Sequence, residues 1–212
     1  MNLWSTNVEA HMQLFPEDIM VSIDLEKCFN ALDRDALMEA CLSCPLTAPL
    51  AHYVATTYPG GMQVLLNVLG DWRRIPFERG IAQGRPLSPV LASILLLGVQ
   101  KKAWKAMCEH MRLDPDSAEA RERLSLGGYL DDCGILAPPE VARVGYLAFR
   151  QACLDVGWNV NEKKTVVGGG YYLPNDRRRA VLGKAKQLFN SPGNDMMERE
   201  GLIFLGSPIG YD

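Results

Sequence analysis

The sequence predicts an α+β fold in which an antiparallel sheet carries helices packed on one face. Two predicted hairpins favour this class: one spans residues 62–77 around a Gly-Asp turn, and the other spans residues 126–136 around an Asp-Asp turn. Alternating strands and helices would also suit a doubly wound parallel sheet, but the chain has no glycine-rich phosphate loop of the kind such sheets use. We therefore expect helices on one side of an antiparallel sheet.

The first elements follow from local signals. Residues 19–25 are apolar and typical of a buried strand, which ends at an acid, Asp24. Asp33 is a candidate N-cap for the next helix, which Pro45 ends. A second amphipathic helix stops at the Pro-Gly-Gly sequence of residues 59–61, just before the first hairpin.

A glycine-containing loop over residues 79–87 leads into the longest predicted helix. Ser88 and Pro89 begin that helix in the favoured order of cap and first-turn proline, and it extends to about residue 111. After the second hairpin, Pro138 and Pro139 open another helix that ends near residue 157. Short strands follow, three glycines over 168–170 are expected to loosen the chain, and a basic helix over about 175–189 precedes a last strand near residue 204.

Three aspartates are the candidate catalytic residues. Asp131 and Asp132 are adjacent at the predicted turn of the second hairpin, and Asp24 ends a neighbouring buried strand. Carboxylates that lose hydration beside one another repel, so a facing cation is expected, most simply a divalent metal. An oxygen-only donor set suits Mg²⁺, and a pair of such ions supports in-line transfer at phosphorus. The predicted chemistry is nucleotidyl transfer.

The composition limits how the chain can bind nucleic acid. The 212 residues are 48% hydrophobic and 22% charged, and the formal net charge of −3 argues against nucleic-acid binding through bulk positive potential. Local basic clusters would have to meet the phosphates. These clusters are Arg73-Arg74, Lys101-Lys102, Lys163-Lys164 and Arg177-Arg178-Arg179.

The apolar runs and the cysteines indicate the cellular compartment in which the protein is expected. No apolar run is long enough to cross a membrane and no signal peptide begins the chain, so we expect an intracellular protein, in the nucleus or in a cytoplasmic ribonucleoprotein. The six cysteines are then expected to be free thiols. Cys41 and Cys44 have zinc-ligand spacing, but without a second pair we expect them to pack at a helix end.

Five sequence elements in order resemble the palm motifs A to E of reverse transcriptases, most closely those of non-LTR retrotransposons. The resemblance covers residues 19–209, nearly the whole chain. The elements are Asp-x-x-x-x-Phe from Asp24, Gly-Ile-Ala-Gln-Gly-Arg-Pro-Leu-Ser-Pro from Gly80, Tyr-Leu-Asp-Asp from Tyr129, Gly-Trp-Asn-Val-Asn-Glu-Lys-Lys-Thr from Gly157 and Phe-Leu-Gly from Phe204.

The resemblance implies an RNA-directed DNA polymerase that uses two Mg²⁺ ions, which Mn²⁺ could replace. Asp24 and Asp131 would hold both metals with the Leu25 carbonyl, and Asp132 would support them. Lys164 matches the motif D lysine, a candidate general acid for the pyrophosphate leaving group.

The same resemblance implies a nucleotide site and a primer grip. Phe29 falls at the steric gate that excludes a 2′-hydroxyl and so implies a preference for dNTPs. Gln83 and Gly84 match the loop over the incoming nucleotide, while Arg85 replaces a frequent small residue and could meet a phosphate. Phe204, Leu205 and Gly206 resemble the primer grip, which holds the primer 3′ end.

The resemblance also predicts the domain organisation. Residues 1–18 would be a truncated lead-in on the fingers side, and residues 19–212 would form the palm core with the thumb absent. We expect a fragment or degenerate copy of a larger retrotransposon polyprotein, whose fingers, thumb or endonuclease domains lie elsewhere. Its partners would be an RNA template, a DNA or RNA primer and dNTPs, with no membrane.

Two alternatives stay open. The chain could be an RNA-directed RNA polymerase, whose palm also carries paired acids, although Phe29 and Tyr129 weigh against this. It could also be a catalytically inactive relic or a domesticated module that binds nucleic acid or protein through the same fold.

Overall fold

The structure is a computed structural model that describes residues 3–130, 132–189, 197–198, 202–204 and 207–209. Its helices are α1 Leu3–Leu14, α2 Cys28–Ala31, α3 Arg34–Leu42, α4 Ala48–Thr57, α5 Ser88–Met111, α6 Ala118–Arg123, α7 Pro139–Asp155 and α8 Asn175–Phe189. Its strands are β1 Ile19–Glu26, β2 Gln63–Val68, β3 Asp71–Pro76, β4 Ser125–Tyr129, β5 Asp132–Ala137, β6 Asn159–Val160, β7 Val166–Gly169, β8 Met197–Glu198, β9 Leu202–Phe204 and β10 Ser207–Ile209.

The chain divides into two compact units. The sheet unit comprises Met1–Glu26, Val99–Leu154 and Asn159–Asp212. The hairpin unit comprises Lys27–Gly98 and Asp155–Trp158. Within the described ranges, no helix is both long enough and apolar enough to cross a membrane.

The sheet unit is built around β1. Its main sheet has the order β4-β5-β1-β7-β8, and β6 pairs with the last residues of β1. The pairs are antiparallel except for β7 with β8, which is parallel. Because β1 has partners on both edges and most of its residues are buried, it is the central strand that its apolar sequence predicts. The predicted α+β class with an antiparallel sheet is confirmed.

Helices bury both faces of this sheet. Gly145 of α7 lies against Met107 of α5 and Ile135 of β5. The next residue of β5, Leu136, belongs to a buried cluster on the sheet. The other members of this cluster are Met20 of β1, Val166 of β7, and Val8 and Met12 of α1. Since successive residues of a strand point to opposite faces, α1 covers the face opposite to α7, in addition to the helices expected on one face. A near-continuous apolar β1 sequence needs cover on both sides, which α1 supplies.

The hairpin unit contains α2, α3, α4 and the isolated β2–β3 hairpin. Asp33 caps α3 as predicted, because its side chain accepts hydrogen bonds from the backbone N–H groups of Asp35 and Ala36. β2 and β3 pair in register from Gln63 with Pro76 to Val68 with Asp71, as the first predicted hairpin requires. Every residue of the two strands is exposed, including several large apolar ones.

Candidate active site

Asp24 and Asp132 lie opposite one another where the pairing of β1 with β5 ends. The antiparallel register pairs Ile19 with Ala137 at one end and Asp24 with Asp132 at the other. Cross-strand partners project from the same face of a sheet with their Cβ atoms roughly 4.5–5.5 Å apart. Two carboxylates from distant parts of the sequence therefore share one face at one end of the central strand pair.

The second predicted hairpin is confirmed, and it ends in a tight turn. β4 and β5 pair from Ser125 with Leu136 to Tyr129 with Asp132, which leaves a two-residue connection. Leu130 in that connection has a φ of 58°, a left-handed conformation that costs a residue with a branched side chain on the order of 1 kcal/mol. The other predicted acid of this turn, Asp131, lies outside the described residues.

Gly128 lets β4 approach the acid-bearing strand closely. A Cβ atom at this position would lie 2.8 Å from the backbone oxygen of Asp132 and 2.8 Å from the Cys133 Sγ. No side chain fits such a gap without moving one of the strands. The glycine in the sequence before Tyr-Leu-Asp-Asp is therefore required by packing beside Asp132.

A lysine lies beside the first acid. Lys164 Nζ is 3.8 Å from Asp24 Oδ1, with 69% of the lysine side chain and 25% of the aspartate side chain exposed. The turn that presents Lys164 is held by Asn161, whose carbonyl accepts hydrogen bonds from the N–H groups of Lys164 and Thr165. The structure thus places the predicted motif D lysine beside the motif A acid, where a cation balances the carboxylate charge.

The backbone after Asp24 is fixed by β6. The Asp24 carbonyl accepts a hydrogen bond from the Asn161 N–H at 2.8 Å, and Leu25 pairs with Val160. The Leu25 side chain is buried, so the residue is held in the sheet. The role of its carbonyl as a metal ligand stays a prediction.

The donor chemistry of this strand end fits a hard divalent cation. Asp24 and Asp132 offer carboxylate oxygens on one face, which is the donor type that Mg²⁺ prefers. Among the described residues, which leave out residue 131, no group of three or more acidic, histidine or cysteine side chains is close enough to hold a metal.

The predicted nucleotide residues lie in the hairpin unit. Phe29 is half-buried in α2, and its carbonyl accepts a hydrogen bond from the Ile81 N–H at 2.8 Å. Gln83, Gly84 and Arg85 are exposed in the loop before α5, where Gly84 has a φ of 81°. A backbone hydrogen bond therefore joins Phe29 to the loop that carries Gln83.

The predicted primer grip is described only in part. Phe204 ends β9 and pairs with Ser207 of β10. Leu205 and Gly206 lie outside the described residues. The primer-grip assignment of all three residues stays a prediction.

Three residues that the sequence did not single out as site residues support this region of the hairpin unit. Arg34 is 9% exposed and its guanidinium contacts the loop before α5, while the Tyr58 hydroxyl accepts a hydrogen bond from the Ala82 N–H. Trp158 is fully buried, and its indole N–H donates to the Cys28 carbonyl at 2.7 Å. Only Trp158 carried a sequence signal, because a large aromatic residue beside a glycine turn indicates a buried anchor.

An antiparallel sheet with carboxylates at the facing ends of its central strands, flanked by helices, defines the class of polymerase palm domains. A family model described as "Reverse transcriptase (RNA-dependent DNA polymerase)" matches residues 4–207. The chain belongs to this family.

Solved structures with a similar fold include telomerases from Candida tropicalis. The apo telomerase superposes with a TM-score of 0.59 at 16% identity, covering 79% of this chain and 31% of that one. The telomerase in complex with the TWJ fragment of telomeric RNA gives a TM-score of 0.54 at 17% identity, with coverages of 79% and 29%. The chain therefore spans about a third of the length of these telomerases, and at this identity the likeness shows the fold alone. No curated protein matches the sequence significantly.

Proposed function

We propose that this chain is the palm of an RNA-directed DNA polymerase, which joins dNTPs to a primer 3′ end by nucleotidyl transfer. The observation that supports this most directly is the cross-strand pairing of Asp24 with Asp132 in a chain of the reverse transcriptase family. The catalytic demand of phosphoryl transfer is mainly positioning and charge neutralisation, which acids fixed on a rigid sheet can provide.

Asp24, Asp131 and Asp132 are the residues that would hold two Mg²⁺ ions, with Mn²⁺ as a substitute, and the Leu25 carbonyl would complete the donor set. When bound, these ions supply charge neutralisation at the attacking and leaving oxygens. Asp24 is anchored for this by β1, and Asp132 by the first pair of β5. Lys164, beside Asp24, would hold the proton that the leaving pyrophosphate takes up.

The hairpin unit would bind the nucleotide. Phe29 would exclude a 2′-hydroxyl, and Gln83 with Gly84 would lie over the incoming base. The exposed Arg85 guanidinium would contact a phosphate, since a planar fork of donors matches phosphate oxygens. In the sheet unit, Phe204, Leu205 and Gly206 would hold the primer end.

The partners follow from the reaction: an RNA template, a DNA or RNA primer, and dNTPs. Because the chain carries a net charge of −3, we infer that further regions of a larger retrotransposon polyprotein add electrostatic affinity for nucleic acid. Residues 1–18 would be the lead-in and residues 19–212 the palm core. Such a complex would act in the nucleus or in a cytoplasmic ribonucleoprotein.

A primer-extension assay tests this function. The protein would be given a primer annealed to an RNA template with Mg²⁺ and either dNTPs or rNTPs, in parallel with the Asp24→Asn and Asp131→Asn variants. Asp116→Asn is a matched control, since Asp116 is exposed in the loop before α6. Extension with dNTPs that is lost in the first two variants and kept in the control supports the proposal.

Other outcomes overturn it in favour of a named alternative. Extension that prefers rNTPs would identify an RNA-directed RNA polymerase. Binding of the primer–template without extension by any nucleotide would identify a catalytically inactive relic or domesticated binding module.

A further inference from the structure

Arg34 is a buried cation to which the proposed reaction assigns no role. It is the first residue of α3 and is only 9% exposed. Desolvation by burial lowers the pKa of its guanidinium, and the nearby Tyr58 partly offsets this. Burying a charge is costly unless it is hydrogen-bonded, so the groups around Arg34 must compensate.

The hydrogen-bond acceptors that compensate belong to a single stretch of chain. Arg34 Nε donates to the Gly80 carbonyl at 2.8 Å, and Nη2 donates to the carbonyls of Phe77 at 2.8 Å and Arg79 at 3.3 Å. The guanidinium carbon also lies 4.7 Å from the centre of the Phe77 ring and 5.2 Å from that of Tyr58. One side chain therefore holds residues 77–80 through three backbone carbonyls and the Phe77 ring, and it also packs on the Tyr58 ring.

The segment that Arg34 holds is joined directly to the backbone of Phe29. The Ile81 N–H donates to the Phe29 carbonyl at 2.8 Å, and the Gly80 N–H donates to the Leu32 carbonyl at 2.9 Å. A Cβ atom at Gly80, where φ is 75°, would lie 2.5 Å from the Asn30 carbonyl oxygen. The two backbones are therefore in direct contact, and a shift of one must move the other.

The same segment leads into the predicted nucleotide loop. The Ala82 N–H donates to the Tyr58 hydroxyl at 3.2 Å, and Tyr58 is also a ring on which Arg34 packs. The Ala82 carbonyl accepts a hydrogen bond from the Ser88 hydroxyl at 2.6 Å. Gln83 and Gly84 therefore directly follow Ala82, whose N–H and carbonyl are both hydrogen-bonded.

We propose that Arg34 is a positioning residue for nucleotide selection, which clamps residues 77–82 against the backbone of Phe29. This inference rests on the proposed function, because it takes Phe29 as the sugar gate and Gln83 with Gly84 as the nucleotide loop. The clamp sets the spacing between them. A misplacement of about 1 Å in such a site can lower a rate about 10²-fold, so the clamp bears on selectivity as well as on stability.

Arg34→Lys is the informative variant. Lysine keeps the charge and most of the stem but has no planar fork, so it cannot serve three carbonyls and two rings together. Thr47→Val is a matched control for general destabilisation of the same unit. Thr47 joins α3 to α4 by hydrogen bonds from its hydroxyl to the carbonyls of Cys41 at 2.7 Å and Cys44 at 3.2 Å.

Amide hydrogen exchange measures the clamp without reference to activity. In Arg34→Lys we expect exchange at Gly80, Ile81 and Ala82 to accelerate by about tenfold or more, since local opening follows the loss of the groups that hold a segment. Exchange at Ala31, which lies in α2 with Phe29, should accelerate together with exchange at these three residues. In Thr47→Val these amides should keep their wild-type rates. Unchanged exchange in Arg34→Lys would overturn the clamp whatever the chain catalyses.

Single-nucleotide incorporation then measures selection. The ratio of kcat/KM for a dNTP to that for the matching rNTP should fall about tenfold in Arg34→Lys, mainly through the KM for the dNTP, and stay unchanged in Thr47→Val. Phe29→Val, as a positive control, should lower the same ratio. Faster exchange with an unchanged ratio, or an equal fall in Thr47→Val, would reduce Arg34 to a structural residue. If the wild-type chain extends no primer, the proposed function is wrong and so is a role for Arg34 in nucleotide selection. The exchange rates would still show whether Arg34 holds residues 77–82 in place.

Discussion

Asp24 and Asp132 are cross-strand partners at the end of the β1–β5 pair, so the central antiparallel ladder of the sheet brings two acids together. The backbone pairing along the whole strand pair fixes the positions of the two residues. The acids are thus preorganised, and the repulsion between them is offset by the rigidity of the buried strand that carries them.

The first prediction concerns stability at this acid pair. Asp24→Asn should change the free energy of unfolding by less than about 1 kcal/mol without metal, because relief of the cross-strand like-charge repulsion and loss of the ion pair with Lys164, whose side chain is 69% exposed, are each worth at most about that much and act in opposite directions. Adding Mg²⁺ should raise the Tm of the wild type, since a ligand of the folded state stabilises it, and leave the variant unchanged. Thermal unfolding with and without Mg²⁺ measures both effects.

Asp116→Asn, in an exposed loop, is the control for this prediction and should respond to Mg²⁺ like the wild type. An equal rise in Tm for Asp24→Asn and the wild type would mean that the ion binds elsewhere.

Local signals in the sequence predicted much of the fold. The Asp33 cap, the two hairpins and the buried strand that carries Asp24 each depend on residues within a few positions, and each is present, although β1 continues to Glu26. The meeting of Asp24 and Asp132 was also predictable, because an acid near the end of one strand meets an acid at the start of an antiparallel neighbour.

Long-range contacts could not be predicted from the sequence. Arg34 follows a helix cap, where a charged residue ordinarily faces water, and nothing local indicates that carbonyls about 45 residues later bury it. Gly168 and Gly169 were expected to loosen the chain, and this was wrong, because both are buried in β7. A Cβ at Gly169 would lie 2.8 Å from the Asp18 carbonyl oxygen, a constraint that only the paired strand imposes.

The second prediction concerns Lys164. Because its Nζ lies 3.8 Å from Asp24, Lys164→Ala should slow single-turnover nucleotide incorporation by roughly 10²-fold, at the low end of what a positioned general acid contributes. The Tm should hardly change, since the Lys164 side chain is largely exposed and such an ion pair adds little to stability. Rapid-quench kinetics on a primer–template with saturating dNTP measures the rate.

Lys163→Ala removes the same charge from the adjacent exposed residue and is the matched control. Equal losses of rate in the two variants would indicate a general electrostatic contribution and argue against a specific role for Lys164.

The third prediction concerns Tyr146 of α7, which is fully buried. Its hydroxyl has no hydrogen-bond partner among the described residues, and burial, with a contribution from Glu162, raises its pKa to about 12. Since an unfolded tyrosine ionises near pH 10, the unfolded state loses the proton first as pH rises. The contribution of Tyr146 to stability is therefore complete below about pH 10 and is lost between about pH 10 and 12.

Tyr146→Phe removes this titration and the unpaired hydroxyl. At pH 7 the variant should be as stable as the wild type or more stable by about 1 kcal/mol. Toward pH 12 its advantage should grow by roughly 2 to 3 kcal/mol, which urea unfolding at a series of pH values can measure. Tyr172→Phe, at a residue that is 45% exposed, should show no such growth. Parallel pH profiles for the wild type and Tyr146→Phe would contradict the prediction.

The fourth prediction compares two glycines that differ in the space around them. Gly128 of β4 faces the Asp132 backbone so closely that Gly128→Ala must push the strands apart, at a cost of about 1–3 kcal/mol in the free energy of unfolding. Gly183 of α8 has no atom within 4 Å of the place a Cβ would take, so Gly183→Ala should stabilise the helix by up to about 1 kcal/mol. Chemical denaturation of both variants gives the two values. Because Gly128 lies against Asp132, its alanine variant should also lose primer extension at temperatures where it is still folded, whereas Gly183→Ala should keep wild-type extension. Equal stability and activity in the two variants would show that the close approach of β4 and β5 is not required at the acid-bearing end of the sheet.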